Sequence, residues 1–346
     1  PFDTRTSFES HAVPVSATQR AKFILKAAAE FAPDVFITEF FPFGRLAYTP
    51  ELLPTLRFLR KKGVRIIASI GYPLLIDLNR FTDAKFSTLH RAIFALYDHF
   101  LIHTPKELET KYIHQSIQSP ILARLYAAIM KDLSPKLVYT GYVFPEKMMT
   151  GGTQLPSFKK SDKLVVISRG GGAVYPKLVA LGIEASRLLD KNTCTIIACG
   201  PATTPEEMAL FQSALEPEDK GRVFLADHLS NLDEYLQRCD VSVCLCGYNT
   251  SVQLLRHGTP SVIIPYQNNL SKTNISKTTT NDQIARSKLL HERFGSIILD
   301  YDAMSAFSLA GAIQKQLASP RPKAAPKTWF NGADYSARFI VEGSED

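Results

Sequence analysis

Cys239 to Gln267, CDVSVCLCGYNTSVQLLRHGTPSVIIPYQ, decides the fold. Val241 to Cys246 is a short apolar run with β-branched residues, which predicts a buried parallel strand. Gly247 interrupts it, Tyr248, Asn249 and Thr250 follow, and Val252, Leu254 and Leu255 then fall at helical spacing. Gly258 ends the helix, Pro260 enforces the exit, and Ser261 to Pro265 reads as the next strand. A strand, a glycine turn, a helix and a strand make a βαβ unit whose turn sits at a carboxyl strand end. Open α/β sheets bind ligands there, and the amides of a helix start suit a phosphate.

The same beat extends outward. Strands are expected at Leu164–Ser168, Thr193–Cys199, Arg222–Ala226, Val241–Cys246, Ser261–Pro265 and Ser296–Leu299, with helices between them. Six such strands complete a doubly wound domain. Its first strand runs into SRGGGA, Ser168 to Ala173, ahead of a helix from Tyr175 to Ser186. Gly170, Gly171 and Gly172 let backbone approach a ligand, and Arg169 adds a fixed cation. A tight turn with no ligand is the plainer reading of that loop.

CGYNTSVQLLRHGTPSVIIPYQ, NDQIARSKLL and the strand ending in SRGGGA resemble the donor-binding half of GT-B glycosyltransferases. The resemblance is to the bacterial lipid I N-acetylglucosaminyltransferase family and its predicted-glycosyltransferase relatives, and covers most of Lys163 to Asp300. It implies an α/β fold of two Rossmann-like domains. It also implies inverting transfer of a sugar from a nucleotide diphosphate-sugar, UDP-linked, to an acceptor hydroxyl. No cofactor or metal is implied, the nucleotide-sugar being a co-substrate.

By the same resemblance Gln253 stands where relatives place a Glu that holds the ribose hydroxyls; the alternative is a solvated helix residue. Asp282 and Gln283 match positions that touch the donor sugar, at the end of a polar loop, Gln267 to Asp282, readable as a flap or as padding. The backbone around Leu225 and His228 would read the base. His228 as a base competes with a role in capping the next helix, for which Asp227 is better suited. Asp300-Tyr301-Asp302 has a metal-binding spelling used by a different architecture, and no metal is expected there.

The first half also alternates. A helix is expected over Thr18–Phe31, a strand at Val35–Thr38, a helix from Pro50 to Lys62 closed by Gly63, and a strand at Val64–Ile70. Next come a helix over Phe86–Asp98, the strand HFLIH, a mostly polar region, and a strand ending at Gly141. The relatives open with a strand and a glycine-rich loop bearing a histidine, whereas PFDTRTSFES has neither. The expectation is an N-terminal domain that lacks its first strands. Glu39, just past its strand, is the candidate base for an acceptor hydroxyl, against a structural or acceptor-binding role.

The predicted organisation is an acceptor-side domain over 1–147, a Pro- and Gly-bearing linker over 148–162, and a donor-binding domain over 163–327. A last helix within 328–346 returns to the first domain.

Composition bounds the rest. The 346 residues, 45% hydrophobic and 21% charged, suit two ordinary globular domains, and no apolar run approaches a membrane span. Five cysteines without a CxxC pair read as buried thiols in a reducing cytoplasm. A net charge of +7 favours anionic partners, nucleotide diphosphates or an anionic lipid surface. No nucleic-acid motif accompanies it. The Pro50–Lys62 helix, with Leu52, Leu53, Leu56 and Leu59 among basic residues, either packs on its own sheet or rests peripherally on a membrane. An epimerase or hydrolase of the same fold, or a non-catalytic nucleotide-sugar binder, are the other functions the sequence allows.

Overall fold

The computed structural model describes residues 16–72, 75, 78–108, 112–113, 117, 119–144, 162–171, 176–229, 231–265 and 282–343. Gly172, most of the 148–162 linker and the 267–281 loop lie outside them. The chain divides into two compact units, one built mainly on 5–144 and 327–346, the other on 145–267 and 286–326.

The first unit opens with α1, Ala17–Phe31, started by a capping box in which Ser16 and Gln19 serve each other's amides. Strand β1, Val35–Glu39, leads to α2, Thr49–Lys61, which carries Pro50 in its first turn. Glu51 is buried, and both its oxygens accept from Arg20, Nε at 2.9 Å and Nη2 at 2.7 Å. This paired fork fastens α1 to α2. Leu56 and Leu59 are fully buried, so α2 packs part of its leucine face within its own unit.

β2, Arg65–Ile70, is followed by α3, Ala84–Phe94, and β3, His99–Ile102. The expected Phe86–Asp98 helix is displaced toward its N-terminus for two reasons. Asp83 caps it early, accepting from Phe86 N at 2.8 Å. Asp98 is taken by the sheet: its carboxylate accepts from Ile66 N at 2.8 Å and from Arg60 Nη1 at 2.6 Å.

The region read as mostly polar contains α4, Pro120–Leu133. Ser119 caps it, Pro120 starts it, and Leu122, Tyr126, Ile129, Met130 and Leu133 form its buried stripe. β4, Leu137–Tyr139, completes a parallel sheet of order β1-β2-β3-β4.

In the second unit the elements are β5 Lys163–Ser168, α5 Pro176–Arg187, β6 Thr193–Ala198, α6 Pro205–Ser213, β7 Val223–Ala226 and α7 Leu232–Arg238. They continue with β8 Val241–Cys244, α8 Tyr248–His257, β9 Ser261–Ile263, α9 Asp282–Phe294, β10 Ile297–Ile298 and α10 Ala306–Leu317. All six strands are parallel, in the order β10-β9-β8-β5-β6-β7. Val165, Ile167, Val241, Val243 and Val262 fill the core with Leu178, Val179, Leu309 and Ile313 from flanking helices. The last helix, α11 Gly332–Glu342, belongs to the first unit and seats Phe339 against Ile67, Leu101 and Val138 of its sheet.

Two ends in the decisive stretch have local causes. β8 stops at Cys244, two residues before the expected end, because Cys246 turns to φ 61°. α8 ends on Gly258 at φ 59°, where a Cβ would stand 2.3 Å from Pro322 O and 2.9 Å from Ala324 N. Gly258→Ala is therefore expected to cost about 2–4 kcal/mol, a left-handed penalty plus overpacking. Urea denaturation should show a lower midpoint at unchanged slope.

Candidate functional site

The order of the second sheet places its topological switch between β5 and β8. From β5 the chain proceeds through α5 to β6 on one side, and β8 pairs on the other, with Ser168 registered against both Ala198 and Cys244. The loops leaving β5 and β8 therefore emerge side by side, where open α/β sheets hold ligands.

From β5 the first residue out is Arg169, whose amide donates to Ala198 O at 3.1 Å. Its side chain is 1% exposed, and among the described residues none of its Nε, Nη1 and Nη2 has a hydrogen-bond partner. Glu207 Oε2 lies 3.6 Å from Nη1, and the same oxygen accepts from Thr204 N in the capping box of α6. A guanidinium brings five donors, and leaving them dry without acceptors costs several kcal/mol.

Gly170 takes φ 82°, while Gly171 is exposed and a Cβ there would meet nothing within 4 Å. Gly247 likewise leaves open space at the N-cap of α8. Among the described residues no side chain caps that helix and no acid occupies its first turn, so Tyr248, Asn249 and Thr250 begin a helix presenting its positive end. Neither Gly171 nor Gly247 has a positive φ, and among the described residues a Cβ at either would meet nothing within 4 Å.

Gln253 is only 8% exposed, which overturns the solvated alternative for it. Leu225 lies on β7 half-buried, and Asp227 and His228 are exposed just beyond it. The capping role expected of Asp227 and His228 is not observed: α7 starts at Leu232 with Asn231 as N-cap, too far along the chain for either to serve. Asp282 and Gln283 form the first turn of α9, half-buried. One turn on, Arg286 is 4% exposed and its Nε donates to Cys246 O at 3.1 Å, tying α9 to the turn before α8. The motif NDQIARSKLL assigns Arg286 no role by itself; its signal is a cation spaced with Ala285, Leu289 and Leu290 on the buried side of a helix.

Asp300 Oδ1 accepts from Asp302 N at 2.8 Å, which makes the Asp-Tyr-Asp segment a turn. Among the described residues no group of three or more His, Cys, Asp or Glu could hold a metal ion. All five cysteines are buried, and none forms a disulfide. Burial pushes Cys199 and Cys244 up to about 11 and Cys239 up to about 12, leaving inert thiols.

In the first unit Glu39 closes β1, exposed and ion-paired with Arg45. No local sequence pattern marks what lies beside it. Ser69, registered against Glu39, places its Oγ 2.9 Å from His103 Nε2, and His103 Nδ1 lies 2.8 Å from Thr140 Oγ1. The Thr140 hydroxyl faces two carbonyls, Gly141 O at 2.9 Å and Ile102 O at 3.3 Å. Those carbonyls favour a Thr140 hydrogen turned to the backbone, with Thr140 accepting from Nδ1–H. Nε2 is then bare and accepts the Ser69 hydrogen. Burial lowers the His103 ring from 6.5 to about 4.

Fold and site together define a GT-B-type chain of two Rossmann-like units. Residues 165–334 match the Glycosyltransferase family 28 C-terminal domain. Over 169 residues the chain is 26% identical to the UDP-N-acetylglucosamine--N-acetylmuramyl-(pentapeptide) pyrophosphoryl-undecaprenol N-acetylglucosamine transferase of Desulforamulus reducens. That match covers 48% of this chain and 43% of the relative, so the chain spans under half the length of the curated relative it matches. Among solved structures, the glycotransferase of kitacinnamycin aligns at TM-score 0.56 and 14% identity, over 88% of this chain and 72% of that one. The UDP-GlcNAc 2-epimerase of Neisseria meningitidis, bound to UDP-GlcNAc, aligns at 0.53 and 10%, over 96% and 83%. These two likenesses establish the fold.

The His103 ring has a consequence for stability. Its folded pKa lies below the unfolded one, so between about 6.5 and about 4 the unfolded chain binds a proton that the folded chain does not. Stability should fall as pH drops through that window, by roughly 3 kcal/mol from this ring. His90 is lowered by burial too and acts in the same sense. Urea denaturation at pH 7 and pH 4.5 should therefore show a smaller loss for His103→Gln than for the parent chain.

Proposed function

We propose that this chain transfers a sugar from a nucleoside diphosphate sugar, UDP-linked, to an acceptor hydroxyl, with inversion and without a metal. Segment 163–327 holds the donor; 1–147 with 328–346 selects the acceptor. The observation that carries the reading is Arg169: a buried guanidinium without hydrogen-bond partners among the described residues, at the switch point, beside an uncapped ten-residue helix start. A diphosphate satisfies both. Its charge takes the guanidinium donors, and its oxygens take the first-turn amides.

As the sugar leaves it, the diphosphate gains charge at its bridging oxygen. Fixed donors aimed there favour the transition state over the ground state, which is the work a metal does in other transferases. Gln253 offers an amide to the ribose hydroxyls, and Asp282 and Gln283 lead the helix that Arg286 ties to the same turn. The family match over 165–334 and the UDP-sugar named for the relative favour a transferase with a UDP-linked donor. No helix among the described residues is long and apolar enough to cross a membrane. With a net charge of +7, we place the enzyme in the cytoplasm, peripheral to an anionic lipid surface.

Calorimetric titration of UDP, GDP and dTDP into the full chain tests the reading. One nucleotide should bind. Gly171→Asp should abolish binding with the melting temperature nearly unchanged, because a Cβ there meets nothing within 4 Å among the described residues. Arg169→Met should also abolish binding while melting no lower than the parent, since an apolar chain replaces a buried guanidinium whose ion pair with Glu207 is long, at 3.6 Å. A folded parent chain that binds none of the three overturns the reading. Donor consumed at full rate without any acceptor reassigns the site to a hydrolase or epimerase.

A further inference from the structure

Four strands of the first unit end together, and three of their ends carry one hydrogen-bonded chain. Ser69 Oγ near the end of β2 is hydrogen-bonded to His103 Nε2 just after β3, and His103 Nδ1 to Thr140 Oγ1 just after β4. His103 and Thr140 are buried, at 7% and 3% exposure, and Ser69 is half-buried. The Thr140 hydroxyl is anchored by backbone carbonyls, so it fixes the ring's tautomer from behind. Ser69 is thus left with its hydrogen committed inward and its lone pairs outward. A ligand that donates a hydrogen bond fits that hydroxyl; one that only accepts does not.

We propose that Ser69 is the catalytic contact for the acceptor's attacking hydroxyl, and that His103, positioned by Thr140, takes the proton through it. This rests on the transferase reading above. The acceptor oxygen bonds to the anomeric carbon, and the bond from that carbon to the diphosphate oxygen breaks, its electron pair leaving on the phosphate. The acceptor proton passes to Ser69 Oγ as the Ser69 proton passes to His103 Nε2. The resulting imidazolium returns its proton to solvent by the same path after the product departs.

The strength of the base suits the reaction. A ring held at about 4 is as basic as a carboxylate, the group that activates the nucleophile in inverting glycoside hydrolysis. It starts uncharged, so burying it carries no ionic penalty. Glu39, the neighbour of Ser69 in register, is exposed and held by Arg45. The geometry therefore gives the proton to His103 and moves the base away from Glu39.

The test uses the full chain with UDP-N-acetylglucosamine, UDP-glucose, GDP-mannose and dTDP-rhamnose as probe donors, and water or azide as probe acceptor. Water must lose a proton on attack; azide has none to lose. Ser69→Ala and His103→Phe should slow nucleotide release in water by about 100-fold. Glycosyl azide formation should stay within about threefold of the parent, and donor Kd should not change. Ser69→Thr, which keeps the hydroxyl, should retain most of the rate with water. Equal losses with water and azide in folded variants would make the cluster structural and overturn the proposal.

Nitrogen-15 NMR of the imidazole gives a second measurement that needs no turnover. The proposal requires His103 protonated at Nδ1 and bare at Nε2, and the opposite tautomer overturns it. A parent chain that binds no nucleotide sinks the transferase reading itself, an outcome visible before any variant is made.

Discussion

The parallel pairing of β5 with β8 is the constraint from which the rest of the second unit follows. Four registered pairs, Val165↔Val241 through Ser168↔Cys244, set the exit of Arg169 beside the turn into α8. A slip of one residue would turn Val165 and Ile167 to the opposite face and break their packing with Val241, Val243 and the flanking helices. Both strands are buried on both faces, so such a slip has no low-energy version. The hydrophobic core thus fixes the distance between a cation and a helix start, neither of which is itself hydrophobic.

Much of this was legible because the second unit is punctuated locally. Gly247, Gly258 and Pro260 mark the ends of one helix, and their effect on the backbone does not depend on what lies far away. The doubly wound order follows from short apolar runs spaced by helical ones. The strand end at Cys246 was misread because alternating Val and Cys continue the apolar pattern past the point where the backbone turns; a left-handed cysteine has no compositional mark. In the first unit α4 escaped because polar segments flank it, although Ser119-Pro120 and the Leu122, Tyr126, Ile129 and Leu133 spacing are a cap and a face. The glycine loops of the site could be read for the same local reason. Ser69, His103 and Thr140 could not: they are separated by 34 and 37 positions and meet only through strand register.

Glu51 and Arg169 meet burial in opposite ways. Glu51 is buried against a bidentate Arg20, the arrangement in which an ion pair returns its desolvation cost. Arg169 is buried with no such fork. A protein that keeps an arginine in that state accepts a loss of stability at one position, and losses of that kind concentrate where a ligand makes them good.

The position of α11 bears on the order in which the chain acquires its structure during synthesis. The second unit has all of its strands once Ile298 has been made, and α10 follows by Leu317. The sheet made first must wait for Phe339 to cover Ile67, Leu101 and Val138. The earlier sheet leaves the ribosome with one apolar face bare and is completed after the later one, the reverse of the usual vectorial order. Until the final helix docks, that face is what a chaperone would hold.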